Sequence, residues 1–156
     1  MIRKARQSDA EKIEKILKKI SQFTSVEIDV AMELVNIGVN NQTQTDYNIF
    51  VFEQNGKVLG YHCTGMRPLT DAVYDLYWIV ADPESEIKGI GTELVKHSEE
   101  FVVEKGARWL LAETSSRESY GRTRNFYLRN KFTIVAEIND FYSAGDNLIV
   151  FGKYFK

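Results

Sequence analysis

Apolar residues recur along the chain with two periods, and the switches between those periods delimit the expected elements. Residues 2–5 form a short candidate strand. Ile13, Ile16, Leu17 and Ile20 then recur at helical spacing, while Lys12, Lys15, Lys18 and Lys19 cover the remaining surface and read as a solvated face. Ser8 followed by Glu11 has the form of a capping box and predicts the start of this helix. Residues 25–39 predict a second helix, with Val30, Leu34 and Ile37 on its inward stripe and Gly38 near its end. The polar stretch 40–45 predicts a loop.

Residues 47–53 and 57–66 are rich in strand-forming side chains and meet at Asn55-Gly56, a strong hairpin signal. Residues 73–81 make the most strand-like segment, and alternation assigns Asp75, Tyr77 and Ile79 to one face and Leu76, Trp78 and Val80 to the other. Asp75 is the odd member, an acid inside an apolar strand. A loop over 82–88 leads into a helix expected at 89–105, with Ile90, Leu94, Phe101 and Val102 inward and Gly106 as its stop. Residues 108–114 predict the next strand, so the order strand, loop, helix, strand implies a parallel crossover. A short helix at 119–130 and strands at 132–138 and 148–154, joined through 143–146, complete the chain. The expected class is α+β: an antiparallel meander, a central βαβ unit and a final hairpin, in one domain spanning residues 1–156.

Composition narrows the possibilities. Hydrophobic residues at 44% and charged residues at 27% are ordinary globular values, and a net charge of −2 gives no global reason to expect nucleic acid as a partner. Cys63 is the only cysteine, so neither a disulfide framework nor a cysteine-based metal site is expected. A reducing, cytoplasmic setting fits this usage. No apolar run approaches the length needed to span a membrane. His62 and Cys63 read as strand residues and His97 as helix surface, with no partners at metal or catalytic-triad spacing and hence no metal expected.

The loop preceding the long helix carries the candidate chemistry. Lys88-Gly89-Ile90-Gly91-Thr92 places glycines where a helix begins, and no Ser, Thr, Asp or Asn stands directly ahead of Gly89 to cap it. The first N–H groups of that helix are therefore available to an anion. A Walker A loop would need Lys followed by Ser or Thr after the last glycine, and here Thr92 and Glu93 follow Gly91. A dinucleotide fingerprint would need a third glycine.

The run Leu76-Tyr77-Trp78-Ile79-Val80-Ala81-Asp82-Pro83, continued by Lys88-Gly89-Ile90-Gly91 and Leu94, resembles the acetyl-CoA-binding motif of the GNAT superfamily of N-acetyltransferases, whose loop reads Gln/Arg-x-x-Gly-x-Gly/Ala. Phe126-Tyr127-Leu128-Arg129-Asn130-Lys131-Phe132 is similar to a second block of that family, Phe-Tyr-x-x-x-Gly-Phe. Element order agrees over nearly the whole chain. The resemblance implies a mixed, mostly antiparallel sheet of about seven strands flanked by about four helices, with strands 4 and 5 splayed. Two departures stand out: Glu86 occupies the Gln/Arg position, and Lys131 replaces a glycine. Either Lys131 or Asn130 is then expected in a left-handed conformation.

The resemblance further implies transfer of an acetyl group from acetyl-CoA to an amine by direct attack on the thioester. Tyr127 aligns with the family's general acid and would protonate the departing thiolate. Asp75 lies as far ahead of the phosphate loop as the glutamate base of related histone acetyltransferases, and Glu113 is its competitor; an ordered water serving without a single base is a third option. Main-chain N–H groups of Ile79, Val80 and Ala81 would meet the oxyanion. Lys88, Gly89, Ile90, Gly91 and Thr92 would seat the pyrophosphate. The acceptor, a small-molecule or peptide amine, would lie near the first two helices and a loop at 139–143, where Glu27, Asp29, Asp140 and Tyr142 could attract a cation. A homodimer is one option for a partner; nucleic acid and membrane are not expected. The alternative reading is a CoA-binding sensor or interaction module with little catalysis.

Overall fold

In the computed structural model, which describes residues 1–156 throughout, strand β1 (Ile2–Lys4) is followed by a single 3₁₀ turn (Gln7–Asp9) and helices α1 (Ala10–Lys18) and α2 (Ser25–Asn40). Strands β2 (Asn48–Gln54), β3 (Lys57–Met66) and β4 (Val73–Ala81) come next, then helix α3 (Ile90–Glu104) and strand β5 (Trp109–Ser115). A 3₁₀ turn (Glu118–Tyr120), helix α4 (Gly121–Arg129) and strands β6 (Thr133–Ser143) and β7 (Asp146–Tyr154) close the sequence. The seven strands hydrogen-bond in the order β1-β2-β3-β4-β5-β7-β6. β4 and β5 run parallel, and their register covers only Val73–Asp75 against Trp109–Leu111, after which the ladder stops. This is the splayed pair of the expected fold.

By density of contacts the chain forms two units, one of Met1–Gly65 with Tyr77–Glu100 and one of Met66–Leu76 with Phe101–Lys156. In the first unit, Ile13, Ile16 and Leu17 of α1 and Ala31, Val35 and Val39 of α2 bury themselves against Val51, Tyr61, Cys63 and Val80 of the strands. The α2 stripe differs from the expected one. Val30 and Ile37 are exposed, and Ala31, Val35, Gly38 and Val39 face inward. The reason is a close approach: a Cβ at Gly38 would sit 2.5 Å from the Ile49 side chain and 3.2 Å from the Tyr47 carbonyl, so the glycine face is the one pressed against β2. Hydrophobicity alone could not choose between the two stripes.

Caps also differ from expectation. Ser8 and Glu11 form no capping box; instead Asp9, wholly buried, accepts from the Arg6 N–H at 2.8 Å and binds Arg3. Arg3 bridges Asp9 and Glu53, tying β1 to the end of β2. The reciprocal cap appears one helix later, where Thr24 Oγ1 accepts from the Glu27 N–H at 3.2 Å and Glu27 accepts from the Thr24 N–H at 2.7 Å. The hairpin is as expected, with Asn55 at φ 51° and Gly56 at φ 75°.

In the second unit, β7 pairs antiparallel with β5 on one side and β6 on the other. The segment 139–143, expected as a loop, belongs to β6, whose residues are exposed along its whole length. Its ladder with β7 is irregular between Ile138 and Ser143, where Asp140 takes φ 54°. That bulge explains the polar residues that suggested a loop.

Candidate active site

The segment expected to seat a pyrophosphate belongs to the first unit and is held by its own polar groups. Asp82 N–H donates to the Leu59 carbonyl at 2.8 Å, Glu84 N–H to Asp82 Oδ1 at 3.0 Å, and Ile87 N–H to Ser85 Oγ at 3.2 Å. Lys19, just past the end of α1, holds Asp82 and Glu84 at 3.0 and 2.9 Å. The chain then turns at Gly89, φ 80°, with no atom within 4 Å of where a Cβ would stand. The first helical bond of α3 is Glu93 N–H to the Gly89 carbonyl at 3.0 Å. The N–H groups of Lys88, Gly89, Ile90, Gly91 and Thr92 come before it, and Lys88, Gly89 and Thr92 are exposed. A left-handed glycine, open space and a helix N-terminus fit a pyrophosphate. Glu86 is exposed and lines an open depression with Lys12, Lys15, Lys19 and Lys57.

Tyr127 lies in the second unit, on α4. The spacing of Phe126, Tyr127 and Phe132 draws it inward: its ring is buried, stacked on Phe151 at 5.3 Å between centroids and set edge-on to Phe132 and Phe126. Burial pushes its phenol well above the ordinary value, which keeps the proton in place. Behind it the helix ends in a left-handed turn: Phe132 N–H bonds to the Tyr127 carbonyl at 3.0 Å, Lys131 N–H bonds to the Leu128 carbonyl at 3.1 Å, and Lys131 itself takes φ 69°. Asn130, at φ −87°, does not take that role.

Asp75 and Glu113 are brought together by a residue that the sequence reading passed over. Arg67, also in the second unit, grips Asp75 with two groups, Nη2 to Oδ1 at 2.7 Å and Nε to Oδ2 at 3.0 Å, and its Nη2 reaches Glu113 Oε1 at 3.0 Å. Arg67 holds its own charge more firmly for it, first through the bonds it donates to Asp75 and, after the opposing cost of burial, through the one it donates to Glu113. The signal was present: a buried acid in an apolar strand requires a cation, and Arg67 stands at the near end of the preceding turn.

Three further residues have partners within the protein. His97 is not simple helix surface; its Nδ1 lies 2.9 Å from Nε2 of the fully buried His62, and Phe50 packs on both rings. Among the acids proposed to attract a cation, Glu27 is used in its helix cap and Asp140 accepts from the Gly145 N–H at 2.8 Å. Val80 is buried near the end of β4, with Ile79 and Ala81 half-buried beside it.

Residues 11–132 match the acetyltransferase (GNAT) family. A protein of the GNAT acetyltransferase family from Desulfovibrio desulfuricans is 33% identical, with a TM-score of 0.94 over 99% of this chain and 98% of that one. The chain belongs to the GNAT acetyltransferase family. Its fold is shared with the ribosomal-protein-S18-alanine N-acetyltransferase of Escherichia coli, at 18% identity and a TM-score of 0.75 over 99% of this chain and 92% of that one. It is shared too with an aminoglycoside 6′-N-acetyltransferase from Enterococcus faecium, at 13% identity and a TM-score of 0.74 over 99% and 96% of the two chains. A structure of an aminoglycoside 6′-N-acetyltransferase in complex with coenzyme A has this fold too. No curated protein matches the sequence significantly.

Proposed function

We propose that this protein moves the acetyl group of acetyl-CoA to an amine by direct attack on the thioester. The observation that carries the reading is the open, left-handed glycine turn at Gly89 in front of unbonded helix N–H groups, in a chain of this family. Lys88, Gly89, Ile90, Gly91 and Thr92 would hold the pyrophosphate through main-chain donors, with the Thr92 hydroxyl adding one bond. N–H groups of Ile79, Val80 and Ala81 would face the thioester oxygen. Tyr127, kept protonated by burial, would supply the proton to the departing sulfur. Asp75 and Glu113 supply the carboxylates that could receive the amine's proton.

The acceptor class follows from chemistry and kinship. Related folds act on the alanine of a ribosomal protein and on aminoglycosides, both of them amines. A small-molecule or peptide amine is therefore the proposed acceptor. No helix is long and apolar enough to cross a membrane, and the buried free Cys63 suits the cytoplasmic setting we propose. A second copy of the chain as partner is likewise a proposal, read out by sedimentation equilibrium.

Asp75 already engaged by Arg67 favours one other reading, a CoA-binding module with little catalysis. One experiment separates the two. Acetyl-CoA is titrated calorimetrically, and CoA release is then followed with a panel of primary amines. Binding with turnover on at least one amine supports the enzyme; tight binding with none supports the module; absence of binding removes both.

A further inference from the structure

The three charges at Arg67 are unequal in how they are held. Asp75 has a side chain 8% exposed and gives both oxygens to the guanidinium. Glu113 has a side chain 42% exposed and gives one oxygen, Oε1, leaving Oε2 without a protein donor. For Asp75 to take a proton it must surrender a two-point bond to Arg67 and leave that cation beside a neutral acid. Glu113 can accept a cation or a proton on Oε2 without disturbing the contact on Oε1.

The local charge sums to −1, one guanidinium against two carboxylates, and the surplus resides on the exposed member. Arg67 is itself fixed from behind. Its N–H donates to the Val73 carbonyl at 2.8 Å, and its carbonyl accepts from Thr70 Oγ1 at 2.8 Å. The turn thus fixes the main chain of Arg67, and Asp75 grips the guanidinium so that its Nη2 also meets Glu113 Oε1.

We infer that Glu113 is the carboxylate that docks the acceptor as its ammonium ion and takes its proton, that Arg67 is the positioning residue that aims Glu113, and that Asp75 anchors Arg67 instead of serving as the base. The inference rests on the acetyltransferase reading and assigns the acceptor class as a primary ammonium. In the step so assigned, a proton passes from R–NH₃⁺ to Glu113 Oε2 and on to solvent. The freed nitrogen pair bonds to the thioester carbonyl carbon and the carbon–sulfur bond breaks. The second proton that nitrogen sheds balances the one the sulfur takes up, so the products are the N-acetyl amine, CoA thiol and one released proton.

The test has two arms. In the first, the carboxyl carbon-13 signals of the wild-type protein are followed as n-butylammonium is added. The Glu113 signal is expected to move and the Asp75 signal to stay; an equal or larger response at Asp75, or none at Glu113, overturns the assignment. In the second, Glu113→Gln is expected to lower kcat/KM for the amine by about 100-fold near neutral pH, with the deficit shrinking as pH rises and free amine accumulates. The KM for acetyl-CoA should hold, and Arg67→Lys should retain more activity than Arg67→Met. Asp75→Asn costing more than Glu113→Gln in a folded protein overturns the assignment. An ammonium response at Glu113 without CoA release from any amine overturns the acetyltransferase reading and leaves the docking carboxylate standing. Turnover with a silent Glu113 overturns the inference alone.

Discussion

His62 Nε2 lies 2.9 Å from His97 Nδ1, and the His62 ring is wholly shielded from solvent while its Nδ1 bonds to nothing. Burial, reinforced by the neighbouring His97, lowers the His62 pKa from 6.5 to about 3. In the unfolded chain the ring titrates near its ordinary value, so between these limits the unfolded state binds the extra proton. Stability is therefore full above about pH 6.5 and falls as pH drops toward 3, by up to about 1.4 kcal/mol per pH unit. Urea midpoints measured across this range should show the slope, and His62→Phe should flatten it.

Arg3 joins Asp9, with a side chain 1% exposed, to Glu53. Burial opposes ionisation of Asp9, but the bonds from Arg3 and the Arg6 N–H outweigh it and hold the carboxyl below its usual value. Arg3→Met strands a buried carboxylate and should cost about 3 kcal/mol, read by chemical denaturation. The contribution of the intact pair is present above the ordinary carboxylate pKa and is lost as pH falls below it.

Gly65 is required by space rather than by torsion. A Cβ there would lie 2.0 Å from the Asp46 carbonyl oxygen, and main chain cannot step aside as a flexible side chain can. Gly65→Ala should destabilise by roughly 1–3 kcal/mol, visible as a lowered Tm with little change in secondary structure.

Tyr127→Phe keeps the ring packing on Phe151 and Phe132 and removes only the hydroxyl. If the hydroxyl protonates the departing sulfur, kcat should fall by about 10²-fold or more while the KM for acetyl-CoA stays the same. Unchanged kcat at saturating substrate would reduce Tyr127 to a packing aromatic.

Lys131 carries a side chain at φ 69°, at the corner between α4 and β6. Lys131→Gly should relieve roughly 1 kcal/mol of local strain, partly offset by the freer unfolded chain, and raise Tm by at most about 2–4 °C.

What was legible in the sequence was local. Asn55-Gly56 set its own turn, the glycines ahead of α3 marked an open helix start, and the order of periodic runs gave the strand and helix succession. What was not legible depended on partners distant in the chain. The inward face of α2 was decided by Gly38 meeting β2, a contact no propensity encodes. His62 and His97 are 35 residues apart and meet only once strand and helix pack. Asp75 was the intermediate case: an acid in an apolar strand called for a cation eight residues away, but only the fold showed that Arg67 also reaches Glu113, 46 residues from it. The β6 bulge at Asp140 resembled a loop because it opens with Asn139 and Asp140, both turn formers and both exposed.

The corner at Lys131 bears on how such chains are found at all. What the fold demands there is a sign of rotation about one bond, and glycine is simply the least costly way to write it. A fingerprint read letter by letter would count this position as a mismatch, although the backbone executes the instruction in full. Patterns phrased as torsions at helix exits would recover kin that patterns phrased as residues discard.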